Sequence, residues 1–355
     1  MNKCYNFGMD MTDRIMTACR LCPRACGADR LHGETGVCGV PADLYAGRAM
    51  LHHWEEPCIS GTAEDGTDGG AGAVFFSGCV LKCVYCQNYG LSHIGHRERI
   101  PGKKITVERL AEIFLELQDE GANNIDLVTP TQYIPQIAEA LQLDGHHAGP
   151  SLLQNTGGPE GGPDSGVRED AESKAAAGRR QLTIPVICNC GGYESAEALR
   201  LFDGLVDVYL TDFKYMDHDA ARKYSAAGDY PERAAEALEE MVRQCPAPVF
   251  DDKGLIRRGV IIRHLVLPGM VHNSKEVVRF IYETYGDAVW LSLMNQYTPY
   301  AEAAAHFPEL GRRVTKREYD AVVDYAIDLG VENAYIQEGA TQKESFIPSF
   351  DGEGI

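Results

Sequence analysis

The sequence predicts an α/β fold, a partial (β/α)6-type barrel with a small Cys-rich metal-binding segment at its N-terminus. Three observations predict it. From residue 73 onward, short apolar runs alternate with helically spaced apolar stripes, and repeated βα units build a parallel sheet covered by helices. A loop with the spacing C-x3-C-x2-C directly follows the first apolar run. Four more cysteines crowd a Gly-containing segment ahead of it. The expected organisation is a Cys-rich segment over 1–60, a barrel over 70–340 interrupted by an insertion at 144–181, and a tail over 341–355.

The elements follow in order. Residues 65–72 are rich in Gly and Asp and read as a turn. Residues 73–77 form the first strand. Residues 106–120 place Val107, Leu110, Ile113, Phe114 and Leu117 at helical spacing. Strands are expected at 125–128, 183–188, 206–210, 259–267 and 288–294, with a last short one at 334–337. Helices are expected at 134–143, 195–202, 231–244, 274–285 and 315–329. Six or seven such units make a partial or near-complete barrel, with its chemistry at the C-terminal strand ends. The insertion breaks the rhythm with Gly157-Gly158-Pro159 and a charged, Ala-rich run. It reads as a rim insertion, with a lid over the site as the lesser alternative.

Composition narrows the function. A chain of 355 residues with 44% hydrophobic residues can bury a sizeable core. The net charge of −19 disfavours nucleic acid as a partner, because phosphate binding needs a basic face. A small anionic cofactor in a local basic pocket stays open. There is no run of about 18 apolar residues to span a membrane, and the first twenty residues lack the apolar core of a signal peptide. The expected location is the cytoplasm, where twelve cysteines read as metal ligands more than as disulfides.

Cys79, Cys83 and Cys86 stand on one loop after the first strand. Thiolates are soft donors suited to Fe–S clusters, Zn or Cu(I). A closed zinc site needs four ligands, and the next downstream histidine is His93. Three thiolates hold three corners of an iron–sulfur cube and leave one iron open to another molecule. Nearer the N-terminus, Cys19, Cys22, Cys26 and Cys38 have the spacing C-x2-C-x3-C-x11-C, with Gly27, Gly33, Gly36 and Gly39 among them. Glycines allow the turns that aim several thiolates at one metal centre. Zinc, slightly favoured, and an Fe–S cluster both fit. Between the motifs, His52-His53-Trp54-Glu55-Glu56-Pro57-Cys58 has residue types that ligate metal or shape the mouth of a site, while Cys58 also reads as a plain buried thiol.

Polar clusters end the strands: Thr129-Pro130-Thr131-Gln132-Tyr133, Asn189 to Glu194, Thr211-Asp212-Phe213-Lys214, Arg263-His264, Asn295-Gln296 and Gln337-Glu338. Asp212, Lys214 and Arg263 offer one carboxylate and two cations at neighbouring strand ends. They suit a zwitterionic ligand, with Arg263 able to grip a carboxylate in bidentate fashion.

The Cys79–Cys86 loop resembles the cluster loop of radical S-adenosylmethionine (SAM) enzymes. Residues 19–143 and 182–350 resemble a subgroup related to pyruvate formate-lyase activating enzyme. The phrases Glu55-Glu56-Pro57-Cys58-Ile59-Ser60-Gly61, Tyr209-Leu210-Thr211-Asp212-Phe213-Lys214-Tyr215 and Ser345-Phe346-Ile347-Pro348 carry that likeness. The resemblance implies that Cys79, Cys83 and Cys86 bind a [4Fe–4S] cluster and that SAM chelates the open iron. It implies that Tyr85 packs on the adenine, and that Asp212, Lys214 and Arg263 help hold SAM. An electron from flavodoxin or ferredoxin would cleave SAM to methionine and a 5′-deoxyadenosyl radical, which abstracts hydrogen from a substrate. In the resembled enzymes that substrate is a glycine of a partner enzyme. The alternatives are radical modification of a small molecule or peptide, and a non-enzymatic metal-binding or electron-transfer protein, which needs no SAM pocket. The activating enzymes carry a Gly-Gly-Glu element after the second strand. Thr129-Pro130-Thr131 stands there in this chain, and Gly191-Gly192-Tyr193-Glu194 follows the third.

Overall fold

A computed structural model describes residues 11–61, 69–95, 99–148, 180–337 and 348–355. The expected turn at 65–72, the insertion, Glu338 and residues 341–347 lie wholly or partly outside them. Ten strands occur among the described residues: β1 (Leu44–His52), β2 (Ala71–Phe76), β3 (Lys103–Ile105), β4 (Ile125–Val128), β5 (Val186–Cys190), β6 (Val208–Asp212), β7 (Val249–Phe250), β8 (Ile256–Leu265), β9 (Trp290–Met294) and β10 (Ala334–Ile336). They follow the path β10-β9-β8-β6-β5-β4-β2-β1-β3, with β7 beside β8. From β2 to β10 the main path is parallel throughout. This is the α/β fold with a parallel sheet that the sequence predicts.

Side chains alternate between the two faces of a strand, and here the faces have different chemistry. On one face, Val74, Phe76, Leu127, Cys188, Tyr209, Val260, Ile262, Leu291 and Leu293 join the large core shared with the helices. Helix Val107–Asp119 packs there through Leu110, Ile113, Phe114 and Leu117, with the Thr106 hydroxyl capping its first turn. The other face lines the barrel interior. Its floor is apolar: Ile187, Val208, Leu210 and Ile261 meet Cys58 and Ile59 from the short helix Pro57–Ser60. Two residues further along the strands come Asn189, Asp212 and Arg263.

The sequence reading missed β1. It runs antiparallel to β2, with Ala46 opposite Phe76 and His52 opposite Ala71. Gly47 and Arg48 inside Leu44–His52 spoil the apolar alternation that marks a strand. The C-terminal residues 348–355 dock on β1: the Gly352 amide donates to Gly47 O at 2.9 Å, and Arg48 pairs with Glu353. β1 also corrects one expectation. Because it is antiparallel, it carries His52, His53 and Trp54 to the floor end of the sheet, opposite the cysteine loop. His52 is buried there against Trp54 and Phe75, so the two histidines and the tryptophan lie away from the mouth, while Glu55 of the same stretch reaches Arg263.

The stems of the insertion start at the floor end. The first leaves from helix Ile134–Leu143, whose C-terminus lies there. The stems sit together: Leu182 N donates to Asp144 O at 3.2 Å, and Gln181 Nε2 to Gly145 O at 2.8 Å. Ala148 N donates to Gly204 O, and His146 Nε2 lies 3.1 Å from Asp207, just ahead of β6. Both stems of the expected insertion at 144–181 therefore lie at the floor end; residues 149–179 lie outside the described residues.

Candidate metal centre

The loop after β2 is set by its backbone. Gly78 has φ +86°, and a Cβ there would fall 2.8 Å from Cys38 O and 2.9 Å from Val40 Cγ1. Only glycine takes both the left-handed conformation and the close approach. Beyond it, Lys82 N donates to Ser225 O at 3.2 Å and Val84 N to Tyr224 O at 2.9 Å. Helix His218–Ser225, which the sequence reading missed, thereby holds the loop. Ser225 Oγ donates to Cys83 Sγ at 3.0 Å, and Ser92 Oγ to Cys86 Sγ at 3.2 Å.

Burial pushes the Cys79 thiol up to about 12 and the Cys86 thiol up to about 11, and neighbouring thiols add to both. Burial raises Cys83 too, while the Lys214 ammonium opposes it. Thiolates persist in such a place when a metal claims them. Three soft donors on one loop, two of them supported by hydroxyl donors, fit three corners of an iron–sulfur cube. The Ser225 contact gives a first expected result. A hydroxyl bonded to a ligand sulfur stabilises the more negative, reduced cluster. Ser225→Ala should lower the potential by roughly 20–60 mV, the equivalent of one hydrogen bond. An EPR-monitored redox titration reads it, and an unchanged potential removes Ser225 from the ligand environment.

Tyr85, within the loop, is buried. Its hydroxyl is 2.5 Å from that of Tyr215, which is 2.8 Å from Ser225 Oγ. A buried chain thus joins Tyr85, Tyr215, Ser225 and Cys83. The Tyr85 ring also meets Tyr297 edge-on at 6.3 Å.

The three charged strand-end residues come together. Arg263 Nε donates to Asp212 at 3.1 Å, NH1 to Glu55 at 3.1 Å and NH2 to Asn189 at 2.5 Å. Lys214 Nζ pairs with the other Asp212 oxygen at 2.5 Å. A line of charge runs from Glu55 through Arg263 and Asp212 to Lys214, which in turn feels Cys83. Burial pushes the Asp212 carboxyl up, but Lys214 and Arg263 outweigh it and hold the group below the usual carboxylate range. Glu55 and Asp126 move the other way, chiefly through burial. Asp126 is fully buried, with one oxygen accepting from Asn189 Nδ2 at 3.2 Å and the other without a partner among the described residues.

Asp126, Ser225 and Ser92 were missed from sequence. A charge inside the strand Ile125-Asp126-Leu127-Val128 was the available signal for the first; the serines gave none. Glu194, from the loop after β5, reaches across to Thr131, whose hydroxyl donates to it at 2.8 Å. Cys58 lies in the apolar floor, as a plain buried thiol would.

The N-terminal cysteines form a second group beside the loop. Cys19, Cys22 and Cys38 are buried and Cys26 is exposed. At Gly36, a Cβ would fall 2.8 Å from Cys26 Sγ and 3.7 Å from Cys38 Sγ. The Cys22 thiol lies within electrostatic reach of the other three, although burial is the main cause of its rise to about 12.

A profile of the Radical SAM superfamily matches residues 73–281, which cover the cysteine loop and the charged strand ends. The chain belongs to this superfamily, whose members work through a [4Fe–4S] cluster and SAM. It is similar to an uncharacterised protein of Methanocaldococcus jannaschii, at 25% identity over 92% of this chain and 79% of that one. Among solved structures it is similar to SuiB of Streptococcus suis bound to S-adenosylmethionine, with a TM-score of 0.43, 13% identity, and 77% of this chain and 51% of that one covered. It is also similar to HydG, a maturase of the [FeFe]-hydrogenase, with a TM-score of 0.43, 14% identity, and 78% and 53% covered. The chain spans about half the length of these two structures. Among the described residues no helix is long and apolar enough to cross a membrane.

Proposed function

We propose that this radical SAM enzyme acts on a macromolecule, generating a glycyl radical in a partner enzyme as pyruvate formate-lyase activating enzyme does. Cys79, Cys83 and Cys86 hold the cluster. Lys214, the cation beside Cys83, receives the SAM carboxylate, and Tyr85 flanks the adenine. Asp212 fixes Lys214, and Arg263 fixes Asp212. A [4Fe–4S] cluster held there would supply the one electron, drawn from flavodoxin or ferredoxin, that cleaves SAM to methionine and the hydrogen-abstracting 5′-deoxyadenosyl radical. The chain's own groups orient SAM and hold charge: burial works against the Lys214 charge, but Asp212, Cys83 and Tyr230 together outweigh it and keep Lys214 protonated.

One observation supports a large substrate. The insertion, the obvious candidate lid for a small-molecule pocket, has both stems at the floor end, away from the cysteine loop. The test combines a pyruvate formate-lyase-type enzyme, SAM and the reduced protein under anaerobic conditions. A glycyl-radical EPR doublet, with faster 5′-deoxyadenosine release than from SAM alone, is expected. Replacing 149–179 by a short Gly-Ser linker should preserve that activity and change stability by no more than about 1 kcal/mol, because the ends already meet. No doublet, together with loss of turnover of a small molecule on deletion, favours the small-molecule or peptide alternative.

Lys214→Ala should weaken SAM binding by about tenfold to a hundredfold, the loss of one charge-assisted contact. Calorimetry on the cluster-loaded protein measures it, and unchanged affinity removes Lys214 from the pocket.

A further inference from the structure

We propose that Cys19, Cys22, Cys26 and Cys38 bind a second [4Fe–4S] cluster, and that it is the port through which an external one-electron donor reduces the loop cluster. The inference rests on the assignment of the first cluster to Cys79, Cys83 and Cys86.

The segment is built as a cradle. Gly27 N donates to Cys19 O at 3.0 Å, Ala25 N to Cys22 O at 3.0 Å and Gly39 N to Gly36 O at 2.9 Å. Ala25, Gly27 and Gly39 have φ values of +41°, +66° and +84°, so each cysteine backbone turns tightly. The space at Gly36 is kept clear between two thiols. Arg30, 1% exposed, points NH1 at Cys19 Sγ from 3.6 Å. The carbonyls of Val40, Gln132 and Pro41 fix its guanidinium at 3.1, 2.8 and 2.8 Å. A cation locked in the core beside a thiol has a use when the thiols carry negative charge, as metal-bound thiolates do.

A zinc ion holds its sulfurs about 2.3 Å from one point, whereas a cube gives each of four thiolates its own iron.

Position supplies the role. Cys38 O accepts from Cys79 N at 3.3 Å, so one backbone hydrogen bond joins the two rings. Arg24, between Cys22 and Cys26, donates to Val80 O at 3.0 Å and Ser225 O at 3.4 Å. Ser225 is the residue whose hydroxyl meets Cys83. Cys26 is the exposed corner, and Cys38 is a buried one whose carbonyl meets the loop. One electron leaves the donor, which is oxidised, enters on the Cys26 side and leaves past Cys38 to reduce the loop cluster. No bond or proton changes place. Zinc, with no redox chemistry, cannot do this.

Anaerobic reconstitution of the Cys79→Ala/Cys83→Ala/Cys86→Ala protein tests the site. About four irons and four sulfides per chain are expected, the content of one cube, with a reduced EPR signal that SAM leaves unchanged. Bound zinc without iron, or no metal, overturns the proposal. The two readings fail separately: wild-type protein that gains no iron over this variant refutes the first cluster alone. Cys26→Ser tests the port. Reduction of the loop cluster by reduced flavodoxin, followed by freeze-quench EPR, should slow about tenfold or more, because ligand type and exposure set a cluster's potential. Photoreduction of the same protein should still give the SAM-responsive signal, which shows the loop intact. An unchanged rate with flavodoxin overturns the port.

Discussion

Cys83→Ala protein, reconstituted anaerobically, is expected to lose the loop cluster and to cleave no detectable SAM. Cys83 is the middle cysteine of the loop, buried, with Ser225 bonded to its sulfur. Alanine leaves that hydroxyl without its acceptor and leaves two thiols for three irons. No rate survives that depends on the cluster, because the radical chemistry belongs to it and not to the side chains. Cys58→Ala is the control. Its thiol sits in the apolar floor, so it should cost on the order of 1 kcal/mol and keep the iron. Iron analysis, the EPR response to SAM and 5′-deoxyadenosine yield separate the two. A SAM-responsive cluster signal in Cys83→Ala protein would show that Cys83 is not a ligand.

The contrast between those cysteines marks what the sequence made legible. The loop was readable because its three cysteines lie within eight consecutive residues, Cys79 to Cys86, and so keep their spacing whatever the rest of the chain does. The βα rhythm was readable because fully buried parallel strands are apolar runs; β4 (Ile125–Val128) and helix Ile134–Leu143 fall on the expected residues. The strands expected at 183–188 and 206–210 were set about two residues too near the N-terminus for β5 and β6, because polar residues such as Asn189 and Asp212 end an apolar run but not a strand. The support for the site was not legible. Ser225 reaches Cys83 across 142 positions of sequence, and an isolated serine on a helix carries no mark of that. Glu55 reaches Arg263 only because the antiparallel β1 brings residues 55–60 under the barrel. The turn of β1 back to the floor is a tertiary fact that no local pattern states.

Arg263→Ala should produce the largest loss of stability. Spacing suggested a cation for the SAM carboxylate, but the guanidinium is engaged with Asp212, Glu55 and Asn189, and its side chain is only 14% exposed. Removing it strands buried carboxylates, at a cost of about 3–5 kcal/mol. In a chain of this size the melting temperature should fall by roughly 5 °C. The loss should depend on pH. Burial already raises Glu55 and Asp126 above the usual carboxylate range, and Arg263 opposes that rise in both. Without Arg263 they rise further. An acid raised on folding favours the folded state at pH below its unfolded value, and that advantage disappears as pH climbs through the folded value. The deficit of Arg263→Ala against wild type should therefore be smallest near pH 4 and grow toward neutrality. Glu55→Gln in the same protein removes one stranded charge and should recover part of the loss, a coupling that a double-mutant cycle measures directly. SAM affinity should fall as well, because Asp212 loses one of the two cations that fix it and Lys214 loses its anchor. A variant as stable as wild type at pH 7 would mean that Arg263 is not the keystone of this network, and its guanidinium would then be free to meet SAM itself.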